Sequence, residues 1–366
     1  MFLEYINQYL EKYQNYQHYF NYEDGCILLG AKELYEVTND ERYFNFIENY
    51  LKRFITEEGT IQYYEFDKFN IDSINSGKIL FFMYEKTGEE KYRKAIEVPM
   101  EQLRQQPRCA CGNFFHKKIY EHQIWLDGLF MAQPFYMEYE TKFNQNKNYN
   151  DIVMQFENVQ KYLYAPEKGL NYHACDMKKQ MFWANKETGC SANFWLRSMG
   201  WYLMALVDTL DQMSKQIYEQ YRKLEDIFRL MIKGILPYQD PNTKMFYQVI
   251  DHPEVKENYL ETSGSAMIAY AIIKGCRMGI LLDEKYASTG IEIMEGILAN
   301  KLIQDADGNL HLTDTCLMAG LGPENNLRRD GSIAYYLSEP RVSDEAKGVG
   351  PMMMAYGQYL KYKKEM

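Results

Sequence analysis

The chain has 366 residues, 46% hydrophobic and 25% charged, and no Pro, Gly or Ser-rich linker divides it, so a single domain spanning 1–366 with a sizeable core is expected. Its 41 Lys and Arg against 51 Asp and Glu leave a net charge of −10 with no basic tract, which argues against a nucleic-acid partner. The opening Met1-Phe-Leu-Glu-Tyr-Ile-Asn-Gln-Tyr-Leu10 is too polar for a signal-peptide core, and no later stretch is long and apolar enough to span a bilayer, so a soluble, cytoplasmic protein is expected.

In chain order, the first helix is read at Met1 to Tyr13. An internal repeat follows, because Glu36-Val-Thr38-Asn-Asp40-Glu41-Arg42-Tyr43 recurs as Glu85-Lys-Thr87-Gly-Glu89-Glu90-Lys91-Tyr92, 49 residues later. In each copy an apolar helix, Cys26 to Tyr35 or Ile79 to Tyr84, ends at the Thr. An acidic turn then opens an amphipathic helix, Tyr43 to Phe54 or Tyr92 to Leu103. The same rhythm continues, with small or polar clusters opening apolar helices near Gly25, Asp72, Asp127, Ser191, Gly264 and Gly348. Amphipathic partners centre on Phe46, Ile96, Met154, Phe228 and Ile293. The sixth apolar helix, Gly350 to Lys361, takes its partner from the N-terminal helix. Six apolar inner helices and six amphipathic outer ones, closed by the two chain ends, define an all-α (α/α)₆ barrel of six helical hairpins.

Between hairpins, Gly59 to Tyr63, Gly112 to His116 and Gly169 to His173 each place a ring four residues after a glycine. Equivalent positions of a repeat share one end of the structure, so Tyr63, His116 and His173 are expected around one mouth of the barrel, with Asp72 and Asp127 facing it. Asp127 lies within Trp125-Leu126-Asp127-Gly128-Leu129-Phe130-Met131. A carboxylate among large apolar side chains either caps a helix or holds its proton toward neutral pH, where it is a usable acid. Three of the four Trp fall in Phe182 to Tyr202. Arg197 and Trp201, four apart on a helix, offer a cation beside an aromatic plane, which suits an anionic sugar or a packed core equally.

These residues together resemble the unsaturated rhamnogalacturonyl hydrolases of glycoside hydrolase family 105, relatives of the unsaturated glucuronyl hydrolases of family 88. The resemblance covers nearly the whole chain. It is carried by Trp125-Leu126-Asp127-Gly128-Leu129, Trp183-Ala184-Asn185-Lys186-Glu187-Thr188-Gly189-Cys190-Ser191 and Phe194-Trp195-Leu196-Arg197-Ser198-Met199-Gly200-Trp201-Tyr202. It implies the same barrel, with Asp127 as general acid and base, Asp72 as its partner, and Tyr22, His116, Lys117, His173, Arg197 and Trp201 lining the substrate pocket. The chain departs from the family's pattern at Phe115 and Asn21, where relatives often carry Trp and His, and around Leu317 to Gly322 no residue is carried over.

The implied reaction is hydration of the 4,5-double bond that polysaccharide lyases leave in a nonreducing-end uronate, with unsaturated galacturonate linked to rhamnose as substrate. A small anionic oligosaccharide is the expected partner. Alternatives are a glucuronyl hydrolase acting on glycosaminoglycan disaccharides, a sugar epimerase using His116 and His173 as two bases, and a non-catalytic sugar-binding protein. No cofactor or metal is expected, since Lys117 and Arg197 beside a metal site would repel the ion. Cys109-Ala-Cys111 lacks zinc-site spacing, and the seven cysteines read as reduced thiols.

Overall fold

The computed structural model describes residues 1–366. Its helices in chain order are α1 Phe2–Lys12, α2 Tyr22–Thr38, α3 Glu41–Leu51, α4 Asp72–Asn75, α5 Lys78–Thr87, α6 Glu90–Gln105 and α7 Leu126–Phe143. They continue with α8 Tyr149–Leu163, α9 Leu196–Gln212, α10 Tyr218–Ile235, α11 Thr262–Arg277, α12 Asp283–Lys301, α13 Ile333–Ser338 and α14 Ala346–Glu365. No helix is long and apolar enough to cross a membrane.

Helices α2, α5, α7, α9, α11 and α14 are buried over most of their circumference, whereas α1, α3, α6, α8, α10 and α12 bury a single stripe. The inner helices pack in the cyclic order α2, α4 with α5, α7, α9, α11, α14 and back to α2, so the ring closes as an (α/α)₆ barrel. At the closing seam α14 meets α2 through Gly350, where an added Cβ would fall 2.6 Å from the Cys26 carbonyl. Only a glycine allows that approach. The N-terminal helix completes the outer ring by packing Phe2 on Tyr356 of α14, ring centroids 4.9 Å apart. Buried Asp24 ties α2 to what precedes and follows it, accepting from the Tyr16 amide at 2.9 Å, the Asn21 side chain at 2.8 Å and the Tyr50 hydroxyl at 2.9 Å.

The second inner helix does not run unbroken from Asp72. It divides at Ser76-Gly77, where the Ser76 hydroxyl turns away to bond the Asn21 carbonyl, leaving α4 as a one-turn platform under Asp72. The glycine-ring segments behave as a repeat in backbone terms. Gly59, Gly112 and Gly169 take φ of 84°, 102° and 70°. After each turn the chain bridges back, Ile55 to Ile61, Arg108 to Phe114 and Tyr164 to Asn171. A further copy, at Gly308 with φ 86°, joins strands Leu302–Gln304 and Leu310–Leu312. The side chains diverge: Tyr63 is 69% exposed and lies outside the cavity that holds the carboxylates, because its own backbone turns to φ 60° and sends the ring into solvent.

Pro134 inside α7 has no N–H to offer the carbonyl four residues back, that of Phe130. Lys78 of α5 supplies the missing donor, its Nζ bonding Phe130 O at 2.6 Å and lying 3.5 Å from the centroid of the Phe130 ring. Burial pushes the Lys78 ammonium down to about 7, with Asp208 pulling the other way. With the folded value below the unfolded one, the unfolded chain binds more protons between about pH 7 and about 10.4, so stability from this residue rises with pH across that window. Denaturant titrations of wild type and Lys78→Met should therefore show the wild type gaining on the variant from pH 7 to about 10. A difference that stays flat contradicts the assignment.

Candidate active site

A cavity of about 270 Å³ opens at the N-terminal ends of α2, α4 and α7. Its lining includes Tyr22 and Glu23 from α2, Asp72 from α4, and His116, Lys117, Tyr120 and Trp125 from the segment leading into α7. Asp127 itself and the loop carrying Met318, Ala319, Gly320 and Arg329 complete it. A larger cavity, about 490 Å³, lies between α1 and the 305–311 loop but contains neither Asp72 nor Asp127. Side-chain chemistry, rather than size, marks the site.

Asp72 is bound on both oxygens. His116 Nε2 lies 2.9 Å from Oδ1 and Lys117 Nζ 2.7 Å from Oδ2. Burial alone would push this carboxyl up, but the charges of Lys117 and His116 and their hydrogen bonds outweigh it and hold Asp72 well below the usual carboxylate range. Lys117 is correspondingly held above its ordinary value by Asp72, against the pull of its own burial. The chain reaches this geometry because Ile71 N bonds the His116 carbonyl at 3.1 Å, seating the 112–117 turn on α4. Gly128 makes room for it: a Cβ there would stand 3.0 Å from Ile71 Cδ1 and 3.2 Å from His116 Nδ1.

Asp127 is held differently. Strand Gln123–Trp125 pairs antiparallel with Ala174–Asp176, and Leu126 N bonds the His173 carbonyl at 3.1 Å, which brings His173 beside the first turn of α7. Trp125 occupies the cap position, so Asp127 is not the N-cap. Helical spacing turns Leu126, Leu129 and Phe130 into the core and Asp127 toward the cavity. Asp127 Oδ2 lies 3.3 Å from His173 Nε2, out of hydrogen-bond alignment, and both atoms are buried without another partner. The other His173 nitrogen is fixed by the Tyr336 hydroxyl at 2.8 Å.

Of the eight residues named from the sequence, Tyr22, Asp72, His116, Lys117 and Asp127 line the cavity and His173 backs Asp127. Arg197 and Trp201 are 2% and 1% exposed and do not reach it. They do not pair with each other either. Arg197 lies over Trp195 at 4.9 Å and bonds the Cys316 carbonyl and Ser263 Oγ, while Trp201 stacks on Phe130 with centroids 4.7 Å apart and meets Tyr22 edge-on at 6.3 Å. Four-residue spacing puts side chains on one face, but each here found a nearer aromatic. His116 is hydrogen-bonded to Asp72 and His173 to the Tyr336 hydroxyl, so the two rings are held by different partners.

Sequence reasoning missed Glu23, Tyr120 and Tyr336, and it left Arg329, which follows the loop near Gly320, without a role. Glu23 could have been found from its place beside Tyr22 at a helix start; burial pushes it up to about 7, with Lys347 opposing. Tyr336 carries no local signal, because it meets His173 across 163 residues of sequence.

The chain matches Glycosyl Hydrolase Family 88 over residues 3–363. A family 105 glycoside hydrolase structure from C. acetobutylicum ATCC 824 is 42% identical, covers 98% of each chain and superposes with a TM-score of 0.92. Protein Atu3128 of Agrobacterium fabrum is 37% identical over 238 residues, 63% of this chain and 98% of that protein. Unsaturated rhamnogalacturonyl hydrolase YesR of Bacillus subtilis is 24% identical over 282 residues, 75% of this chain and 76% of its own. The protein therefore belongs to the family 88 and 105 glycoside hydrolases and is a hydrolase of a family that includes unsaturated uronyl hydrolases.

The Asp72 anchor has a pH signature. Its folded value lies below the ordinary one, so its contribution is fully present above about pH 4 and is lost as pH falls. The stability advantage of wild type over Asp72→Asn, measured by urea titration, should be steady from pH 5 to 7 and shrink between about pH 4 and 3. An advantage that grows on acidification is the opposite sign and excludes an ionised Asp72.

Proposed function

We propose that the protein hydrates the 4,5-double bond of an unsaturated uronate at the nonreducing end of short oligosaccharides left by polysaccharide lyases, and that its preferred substrate is unsaturated galacturonate linked to rhamnose. The observation that carries this is the unequal treatment of two carboxylates in one cavity. Asp72 is held as an anion by Lys117 on one oxygen and His116 on the other, whereas Asp127 has no cation on it and faces a histidine whose far side is pinned. One is held as an anion by its partners, and the other carries no cation.

In this reading Asp127 gives its proton to C4 of the vinyl ether, and positive charge spreads over C5 and the ring oxygen. Water adds at C5 and loses a proton to the same carboxylate, restoring it. The resulting hemiketal opens to a C5 ketone, and the freed C1 hemiacetal expels the neighbouring sugar. The bonds formed are C4–H and C5–O; those broken are the double bond and, on opening, the ring and glycosidic bonds. No glycosyl-enzyme bond is needed, in contrast to retaining enzymes with paired carboxylates. His173 orients Asp127, Asp72 offsets the transient positive charge, and Tyr22, backed by Trp201, gives the sugar an apolar wall.

The name of the YesR relative supports rhamnogalacturonyl over glycosaminoglycan substrates. So does the lining, where Lys117 and Arg329 are the only lysine and arginine and Lys117 is already bound to Asp72. That leaves Arg329 as the one unpaired lysine or arginine of the lining, for a uronate and a sulfate alike, on a protein of charge −10.

Asp127→Asn should keep its unfolding midpoint and lose about 10²–10⁴ of its turnover, followed as loss of ultraviolet absorbance from the double bond. Activity within tenfold of wild type removes Asp127 from the role. For substrate class, kcat/KM should favour the unsaturated galacturonyl-rhamnose disaccharide over a sulfated unsaturated glucuronyl disaccharide. Equal or reversed values move the assignment to the glucuronyl branch.

A further inference from the structure

We propose that Cys175 and Cys190 are a site of reversible covalent modification: a small-molecule disulfide oxidises them to a cross-strand disulfide that clamps the two segments holding His173. Strand Ala174–Asp176 pairs with Gln123–Trp125 along one edge. Along its other edge it bridges to the chain at Cys190, with Cys175 and Cys190 directly opposite each other in antiparallel register. The flanking hydrogen bonds fix which kind of pair this is. Asp176 N bonds the Gly189 carbonyl at 2.9 Å and Ser191 N bonds the Ala174 carbonyl at 2.9 Å, so the ladder bonds lie on either side of the two cysteines rather than between them. Opposed residues of that kind are the closer ones, with Cα atoms about 4.5 Å apart and side chains on one face. A disulfide spans Cα separations of about 4.4–6.8 Å, so the backbone is already in place.

The close approach is built in. Gly189 takes φ of 84°, and a Cβ there would fall 2.4 Å from the Asp176 carbonyl oxygen and 3.1 Å from Cys175 Sγ. Only glycine lets the two segments meet this way. Both cysteines are buried and neither lines the active-site cavity. Cys190 donates to the Tyr162 carbonyl at 3.0 Å and Cys175 to the Thr188 carbonyl at 3.6 Å. The Cys175 thiol beside it holds Cys190 below the ordinary thiol value, which makes Cys190 the readier nucleophile. The hairpin between the two runs over the surface, with Lys179, Gln180, Glu187 and Thr188 exposed, and its local opening admits a small reagent.

The chemistry balances without any other group. The Cys190 thiolate attacks the reagent disulfide, forming a mixed disulfide and releasing one small thiol; the Cys175 thiolate then attacks the Cys190 sulfur and releases the second. The protein gives up two protons and two electrons, and the reagent disulfide is reduced by them. His173 lies just before Cys175 and Trp195 just after Cys190, their rings 4.7 Å apart. The new bond therefore braces the two segments that set the histidine, and because the register is already correct it acts on their persistence rather than their position.

The test incubates the whole chain with glutathione disulfide, alkylates the remaining thiols and weighs the product, beside Cys190→Ser and a variant carrying Cys109→Ser with Cys111→Ser. Wild type should take up two fewer alkyl groups than the reduced chain, and digestion at Lys178, Lys179 and Lys186 should leave the Cys175 and Cys190 peptides joined. Its unfolding midpoint should rise by about 2–6 °C and fall back with dithiothreitol. The Cys109 and Cys111 variant should behave as wild type does, and Cys190→Ser should show neither the joined peptides nor the rise. Full alkylation of all seven cysteines, a linkage between other cysteines, or a glutathione adduct that never resolves overturns the proposal. A joined pair whose midpoint falls, or a rise that persists in Cys190→Ser, overturns it as well.

Discussion

Two carboxylates sharing a small cavity on an acidic protein cannot both be left to find their own protonation state, and the lysine and histidine on Asp72 are what settle the matter. Once Asp72 is fixed as an anion with both oxygens occupied, Asp127 is the carboxylate of the pair left without a cation. Everything around the anchor serves its geometry. The short helix α4 exists because the inner helix breaks at Ser76-Gly77, and the turn carrying His116 and Lys117 is bonded to the residue just before Asp72. Gly128 leaves the space through which His116 reaches across. Removing any of these would move a charge, not merely a contact.

The barrel makes this possible by a division of labour between its layers. Core packing belongs to the buried inner helices, while the N-terminal turns of α2, α4 and α7 and the loops beside them carry the polar groups. Short antiparallel strand pairs stitch those loops together, and one of them delivers His173 to Asp127. The same principle handles defects at depth. Where Pro134 leaves a carbonyl without its helical donor, a lysine from the neighbouring inner helix fills the place.

Much of this was legible in the chain. Repeats spaced by hairpin lengths specify the (α/α)₆ ring because burial on all sides and burial on one stripe write different patterns. The positions of Asp72, Asp127, His116, Lys117 and His173 followed from the repeat and the family resemblance. What stayed hidden was set by long-range packing. Nothing local says that Arg197 would choose Trp195 over Trp201, that Tyr63 would turn outward where His116 and His173 turn in, or that Tyr336 and Arg329 would arrive from the far end of the chain. Periodicity reports which face a side chain is on, and only the assembled barrel decides which neighbour it meets there.

The central claim is that Asp127 protonates C4 of an unsaturated uronate. It is tested most directly by running the reaction in deuterium oxide and reading the uronate product by nuclear magnetic resonance at early turnover. The account predicts a single deuterium at C4, in one configuration, accompanying loss of the double bond and release of the neighbouring sugar. Release of that sugar with the double bond intact and no deuterium at C4 would contradict it, because cleavage would then have occurred at the glycosidic bond without hydration.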